Sequence, residues 1–329
     1  MSESDAPLEI GARRWQALKH EYAAAELQPL TLTVSPGRCG TVFLQKLFSK
    51  SFGDRGVFLH EHLSAHAAQP ALHHRSFDES SQFRMLAVDA IHDELCWLLA
   101  QTRERPVCEF GHYLIAAVPL LARLIPQSFR VLAVHRHPLQ SAASHAIKGH
   151  YTINKSRTWA ITPTHERVAF PNYAQRWEQM TPYEKELFRW LEITSYALEL
   201  PQRIPGLRFK LVSSQELFNS PVTQGELMQF CGFAPPQLQP AAEKANPTTD
   251  YNLEMMGIGD EWQRTTTHAE VMQLAESLGY DMSTAQLAQL IKPYQRPREW
   301  GAWLRVYSGY WHLRRWWGEL RRSEATAEH

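Results

Sequence analysis

Apolar residues recur along the chain in two rhythms. Leu30-Thr31-Leu32-Thr33-Val34 is a short β-branched run, which predicts a buried strand. Similar runs at 56–59, 106–110, 129–134 and 207–212 predict four more. Between them the spacing turns helical. Residues 8–26 bring Ile10, Trp15, Leu18 and Tyr22 toward one face, with Pro29 closing the segment. Helices are also predicted after 43, near 95–99, and over 113–124, 183–200, 222–231, 268–278 and 284–291. Strands alternating with helices predict an α/β protein of P-loop-like, three-layer type: a central, mostly parallel sheet with helices on both faces. Residues 1–28 read as a helical extension, 29–291 as the main domain, and 292–329 as a tail. Within the domain, the polar, Pro-containing stretch 149–182 reads as a lid or substrate loop.

Composition narrows the function. Lys+Arg and Asp+Glu both number 34 in 329 residues, so no global charge points to nucleic acid, and any anion site must be local. The cysteines at 39, 96, 108 and 231 are scattered, which argues against a disulfide framework or a structural zinc cluster. The first residues lack an apolar leader pattern, and no apolar run is long enough to span a bilayer. A cytoplasmic location is the expectation.

The first strand runs into Ser35-Pro36-Gly37-Arg38-Cys39-Gly40-Thr41 and then into a helix. Such a turn aims backbone N–H groups at one point, where the helix N-terminus adds partial positive charge. Arg38 adds a planar fork suited to phosphate or sulfate oxygens. The triphosphate-binding version of this loop needs Lys and a metal-binding hydroxyl after its last glycine. Here Thr41 and Val42 stand in those slots, which weighs against ATP or GTP hydrolysis.

A second element follows the strand ending at Val134: His135-Arg136-His137-Pro138, with Ser144 eight residues after the Arg. Together these motifs resemble the sulfotransferase family that uses 3′-phosphoadenosine 5′-phosphosulfate. The resemblance implies that Pro36, Gly37, Arg38, Cys39, Gly40, Thr41 and Val42 bind the donor's 5′ end, and that Arg136 and Ser144 grip its 3′-phosphate. His137 replaces the usual Asp, and Cys39 and Val42 replace usual hydroxyl residues. The likeness extends over about residues 28–281. Phe188-Arg189-Trp190-Leu191 resembles the family's Trp helix. The segment 211–217, with Ser214, resembles a strand end. Gly257-Ile258-Gly259-Asp260-Glu261-Trp262 resembles the late loop that closes on the nucleotide. No basic residue precedes Gly257, unlike members that grip phosphate there.

The implied chemistry is in-line sulfuryl transfer to a hydroxyl or amine, with Arg38 neutralising the leaving phosphate and no metal required. The acceptor then needs a base. In Leu59-His60-Glu61-His62-Leu63 the resemblance assigns Glu61 to that role, with His62 second and His60 as an orienting partner. The alternative for Glu61 is a salt bridge with Arg55 or Arg75. His60, His62, His66, His73 and His74 also admit a zinc reading, which leaves the 3′-phosphate signature unexplained. His112 is a further candidate for lining the acceptor pocket.

The acceptor class stays open among a small molecule, a carbohydrate and a lipid-linked species. The aromatic residues Trp159, Phe170, Tyr173 and Trp177 suit any of these. The tail carries eight Lys/Arg over 292–322, with Trp300, Trp303, Leu304, Tyr307 and Trp311 on a helical stripe. It suits packing on the body or self-association through 296–322, with peripheral membrane contact as the alternative. Two other functions remain in view: a P-loop small-molecule kinase, and a non-catalytic nucleotide-binding member of the fold.

Overall fold

The computed structural model describes residues 6–62, 74–111, 113–148, 150–151, 161–235 and 257–295. Its centre is a five-stranded parallel sheet: β1 Leu30–Val34, β2 Val57–Leu59, β3 Val107–Glu109, β4 Phe129–His135 and β5 Arg208–Ser213. The order is β2-β3-β1-β4-β5. Thus β1 is central, with Leu32 paired to Glu109 on one side and Val131 on the other. All five predicted strands are present.

Period-two alternation sorts strand residues between two helical layers. Leu30, Leu32, Val34, Val107, Phe129, Val131 and Ala133 join one core with α1 Ala6–Tyr22, α3 Glu79–Leu86, α4 Asp89–Gln101 and α5 Val118–Leu124. Cys108, Leu132, Val134 and Val212 face the opposite core. That core is filled by α2 Thr41–Phe52, α8 Ser214–Asn219 and α9 Pro221–Phe230. A third cluster joins α6 Pro138–Ala146 and the first half of α7 Pro182–Arg203 to α10 Ala269–Ser277 and α11 Thr284–Ile291. The fold is therefore α/β, with helices on both faces.

The helix after β1 packs on one face and the helix after β3 packs on the other. Their loops diverge, and open α/β sheets bind ligands in the crevice at such a point. The SPGRCGT loop leaves β1 there.

Some elements differ from the sequence expectation. The helix predicted over 113–124 becomes a 3₁₀ turn at Ile115–Ala117 followed by α5, with Pro119 at its N-terminus. Proline is tolerated only in a helix's first turn, so the helix starts there. Helix α1 stops at Tyr22 rather than 26. Its buried face of Gly11, Trp15, Leu18 and Tyr22 lies in the main core. Within the expected lid, Pro171–Gln179 is a 3₁₀ helix, and its Tyr173 and Trp177 are buried against α7. Trp159, His112 and the tail from 296 onward lie outside the described residues.

Candidate active site

The loop after β1 places three of its residues in left-handed backbone. Gly37 has φ 85°, Arg38 φ 57° and Gly40 φ 100°. Glycine adopts this conformation without strain, whereas at Arg38 it costs about 1–2 kcal/mol. Gly40 is the N-cap of α2 and supplies no side-chain cap, and the first turn of α2 carries no acidic residue. An uncapped helix start of this kind is the general setting in which backbone N–H groups can receive an anion. Gly40 is also sterically required, since a Cβ there would meet the Phe218 ring at 2.9 Å.

Side chains brace this loop from behind. Ser35 Oγ accepts from Gly37 N–H at 3.0 Å, and the Cys39 thiol donates to the Gly37 carbonyl at 3.0 Å. Burial pushes the Cys39 thiol up to about 11, so it stays protonated as an internal tie. The Pro36 carbonyl receives the Arg189 guanidinium at 2.5 Å. Ser141 Oγ donates to the Gly37 carbonyl at 3.3 Å.

The second motif, Arg136 with Ser144, meets the same loop. Arg38 Nε donates to Ser144 Oγ at 2.8 Å. Arg136 Nη1 donates to the Arg38 carbonyl at 3.0 Å, and its Nη2 donates to Tyr294 Oη at 3.0 Å. Trp190 Nε1–H in turn donates to the Arg136 carbonyl at 2.8 Å, so this buried tryptophan holds the strand end. Residues 38, 136, 144 and 190 thus form one connected group at the carboxyl ends of β1 and β4.

His137 is explained by the same geometry. Its Nδ1 accepts the Leu139 N–H at 3.3 Å, capping α6 as an Asp would. Its Nε2–H faces the Asp281 carbonyl at 3.4 Å. Burial lowers the pKa of both His137 and His135 to about 4, so both are neutral at pH 7. His135 Nδ1 pairs with Tyr280 Oη at 2.8 Å.

The end of β2 is held by a residue that sequence reading passed over. The Glu109 carboxylate, 3% exposed, accepts N–H groups from Glu61 at 2.9 Å, Gly111 at 2.6 Å and His62 at 3.4 Å. Burial raises its pKa, and those three donors oppose the rise. Glu61 is fixed by these bonds at φ 57°, a second non-glycine residue in left-handed backbone. Such strain persists where surrounding bonds over-determine it. A Cβ on Gly111 would lie 2.4 Å from Glu61 N, so this close approach needs glycine. The signal in the sequence was a lone acid in the apolar run Val107–Phe110.

The three described loop histidines do not gather. His60 Nε2 pairs with Thr41 Oγ1 at 2.9 Å, touching the start of α2, and burial lowers its pKa. His62 Nδ1 pairs with Glu94 Oε1 at 2.8 Å while its ring stacks on Trp97. His74 Nε2 pairs with Glu192 at 3.0 Å in the interior. These three thus turn to three different partners, while His66 and His73 of the same zinc reading lie outside the described residues. The Arg75 guanidinium is bonded to Glu192, Glu199 and Ser195. Arg55 is bonded to the Ser51 and Phe52 carbonyls.

The remaining predicted positions are spread around the group. Ser214 is buried at the start of α8, and the neighbouring Ser213 provides the cap. Trp262 is buried in the third cluster with Trp190. Gly257 precedes Ile258, whose N–H donates to the Tyr294 carbonyl at 2.8 Å. The late chain therefore reaches Arg136 through Tyr294, a link across 158 positions that no local motif signals. Residues 254–256 lie outside the described residues.

No family model matches the chain, and no curated protein matches it. Solved structures resemble it, three of them as follows. One is a sulfotransferase from Alicyclobacillus acidocaldarius, at 17% identity and TM-score 0.45, covering 79% of this chain and 100% of that one. A second is the sulfotransferase domain from the Synechococcus PCC 7002 olefin synthase, at 15% identity and TM-score 0.42, covering 79% and 98%. The third is the sulfotransferase domain from the curacin biosynthetic pathway, at 13% identity and TM-score 0.46, covering 79% and 100%. Among the described residues, no helix is long and apolar enough to cross a membrane.

Proposed function

We propose that the chain is a sulfotransferase, moving a sulfuryl group from 3′-phosphoadenosine 5′-phosphosulfate to a hydroxyl or amine. The observation that carries this reading is the meeting of Arg38, Ser144 and Arg136. Two motifs about a hundred residues apart, each suited to a phosphate, share hydrogen bonds at one crevice. The uncapped start of α2 fits the donor's 5′ end, with the backbone amides of 37–42 and Arg38 beside it. Arg136 and Ser144 fit the 3′-phosphate, and Trp190, Ser214, Gly257 and Trp262 are the positions proposed around the nucleotide.

In this reading the S–O bond to the donor's phosphate breaks as a bond to the acceptor oxygen or nitrogen forms. Arg38 and the loop amides take up the charge growing on the leaving phosphate. The acceptor proton passes to a base at the end of β2. We assign Glu61 to this role, its backbone locked by Glu109. His62, paired with Glu94, is the second choice. His60 stays neutral and orients the Thr41 hydroxyl. The acceptor is a small-molecule, carbohydrate or lipid-linked species.

Calorimetry with 3′,5′-phosphoadenosine against ATP–Mg²⁺ tests the reading. Preferential binding of 3′,5′-phosphoadenosine is expected. Preference for ATP–Mg²⁺ would replace it with a kinase, and binding of neither would favour a non-catalytic protein.

A further inference from the structure

Three side chains with no part in the proposed chemistry converge beside the anion loop. His145 lies in the last turn of α6, His150 follows it, and Glu186 projects from α7. His145 Nδ1 and His150 Nδ1 are 3.1 Å apart. His150 Nδ1 is 3.3 Å from Glu186 Oε1. Each of the three residues offers a ligand atom within 4.8 Å of the other two. His145 is 4% exposed and Glu186 1%.

The protons available do not satisfy this triangle. The Pro36 carbonyl, 3.0 Å from His145 Nε2, can only accept, which assigns the proton to Nε2 and leaves a lone pair on Nδ1. His150 Nδ1 then faces two acceptors with at most one proton. The other tautomer of His145, with Nε2 accepting from Arg189 at 3.1 Å, does no better. It turns the His150 lone pair toward the carboxylate. Neither Glu186 oxygen has a hydrogen-bond partner among the described residues, and Arg189 Nη1 approaches Oε2 only to 3.5 Å. The Arg189 guanidinium pairs with this buried carboxylate without a hydrogen bond, and a buried charge is costly unless it is both paired and hydrogen-bonded.

A tetrahedral ion with bonds of about 2.0–2.1 Å to imidazole and carboxylate holds adjacent ligand atoms about 3.3–3.4 Å apart. The two measured spacings are close to that. Two imidazoles with one carboxylate select a zinc-type ion over magnesium or calcium. The His145 Nε2–Pro36 contact is the outer bond that orients a ligating histidine. We propose that His145, His150 and Glu186 form a site for a zinc-type divalent cation, which ties α6 to α7 and braces the anion loop through Pro36. Three protein ligands leave the fourth position to water. The cation takes no part in sulfuryl transfer, so the proposal stands or falls apart from that reading.

The test uses the full chain, stripped by a chelator and titrated with Zn²⁺. One equivalent is expected to bind with a Kd of about 1 μM or below, and to raise Tm. Glu186→Gln and His150→Ala, each checked for native fold by circular dichroism, are expected to weaken binding by about tenfold or more. Anomalous diffraction at the zinc edge from crystals of the native chain is expected to show a peak within bonding distance of both Nδ1 atoms and Glu186. No stoichiometric uptake, undiminished uptake by both variants, or an anomalous peak elsewhere would each overturn the proposal. The diffraction arm decides should the variants fail to fold.

Discussion

Arg38 Nε donates to Ser144 Oγ at 2.8 Å, so a side chain from the turn after β1 is held by one from the helix after β4. The bond joins residues 106 positions apart, and a second arginine, Arg136, holds the Arg38 carbonyl. These bonds fix both guanidinium groups at the carboxyl ends of β1 and β4, so at the donor site proposed there little ordering would be left for binding to supply.

Ser144→Ala should therefore weaken 3′,5′-phosphoadenosine binding by about tenfold or more, the loss of a hydrogen bond to charged groups. Arg38→Ala should cost more, since it removes charge and the fork together. Calorimetry on variants of unchanged Tm measures both, and unaltered affinity in Arg38→Ala would remove the loop from the donor site.

Glu61→Gln should reduce turnover by about 10²-fold or more while leaving 3′,5′-phosphoadenosine affinity within about twofold. A steady-state assay paired with calorimetry separates the two. Loss of nucleotide binding instead would mean that Glu61 supports the loop. Glu109→Gln should lower Tm as well as turnover. Its amide would turn a donor toward the N–H groups of Glu61, Gly111 and His62, at a cost of about 1–3 kcal/mol.

Acid should destabilise the protein before its carboxylates are protonated. His137 titrates near 6.5 when unfolded and about 4 when folded, because burial favours the neutral ring; Arg136 adds to this and the Asp281 contact opposes it. A lowered folded pKa means that its stabilising contribution is full above 6.5 and is lost as pH falls toward 4. The slope inside that window is about 1.4 kcal/mol per pH unit. His135, also at about 4, adds a second such term. His137→Asn keeps an acceptor for the Leu139 N–H but does not titrate, so its urea midpoint should fall less between pH 7 and 4.5. An identical pH profile would refute the assignment.

Gly11→Ala should destabilise the fold although it sits inside α1. Ala in a helix interior ordinarily gains about 1 kcal/mol over Gly. Here a Cβ would lie 1.8 Å from the Phe83 carbonyl oxygen, and overpacking against backbone costs about 1–3 kcal/mol. The clash outweighs the propensity, so thermal unfolding should show a lower Tm and not a higher one.

Local pattern carried much of this protein. The five strands, the long helices and the glycine turn at 37–40 follow from short-range sterics and hydrophobic period, which act over a few residues and can be read off them. The absence of Lys after Gly40 and the Arg136–Ser144 spacing are legible for the same reason. What the tertiary structure alone decided are relationships between distant side chains. His137 turned out to be a helix cap because a neutral ring at that backbone position presents Nδ1 to Leu139 N–H. The His-rich loop sent its described histidines to Thr41, Glu94 and Glu192. His145 and His150 met Glu186 from another helix. Glu109 and Tyr294 acquired their roles from strand order and chain return, which place Glu109 beside Glu61 and Tyr294 beside Arg136. Hydrogen-bond partners are chosen by packing in three dimensions, and no one-dimensional spacing encodes them.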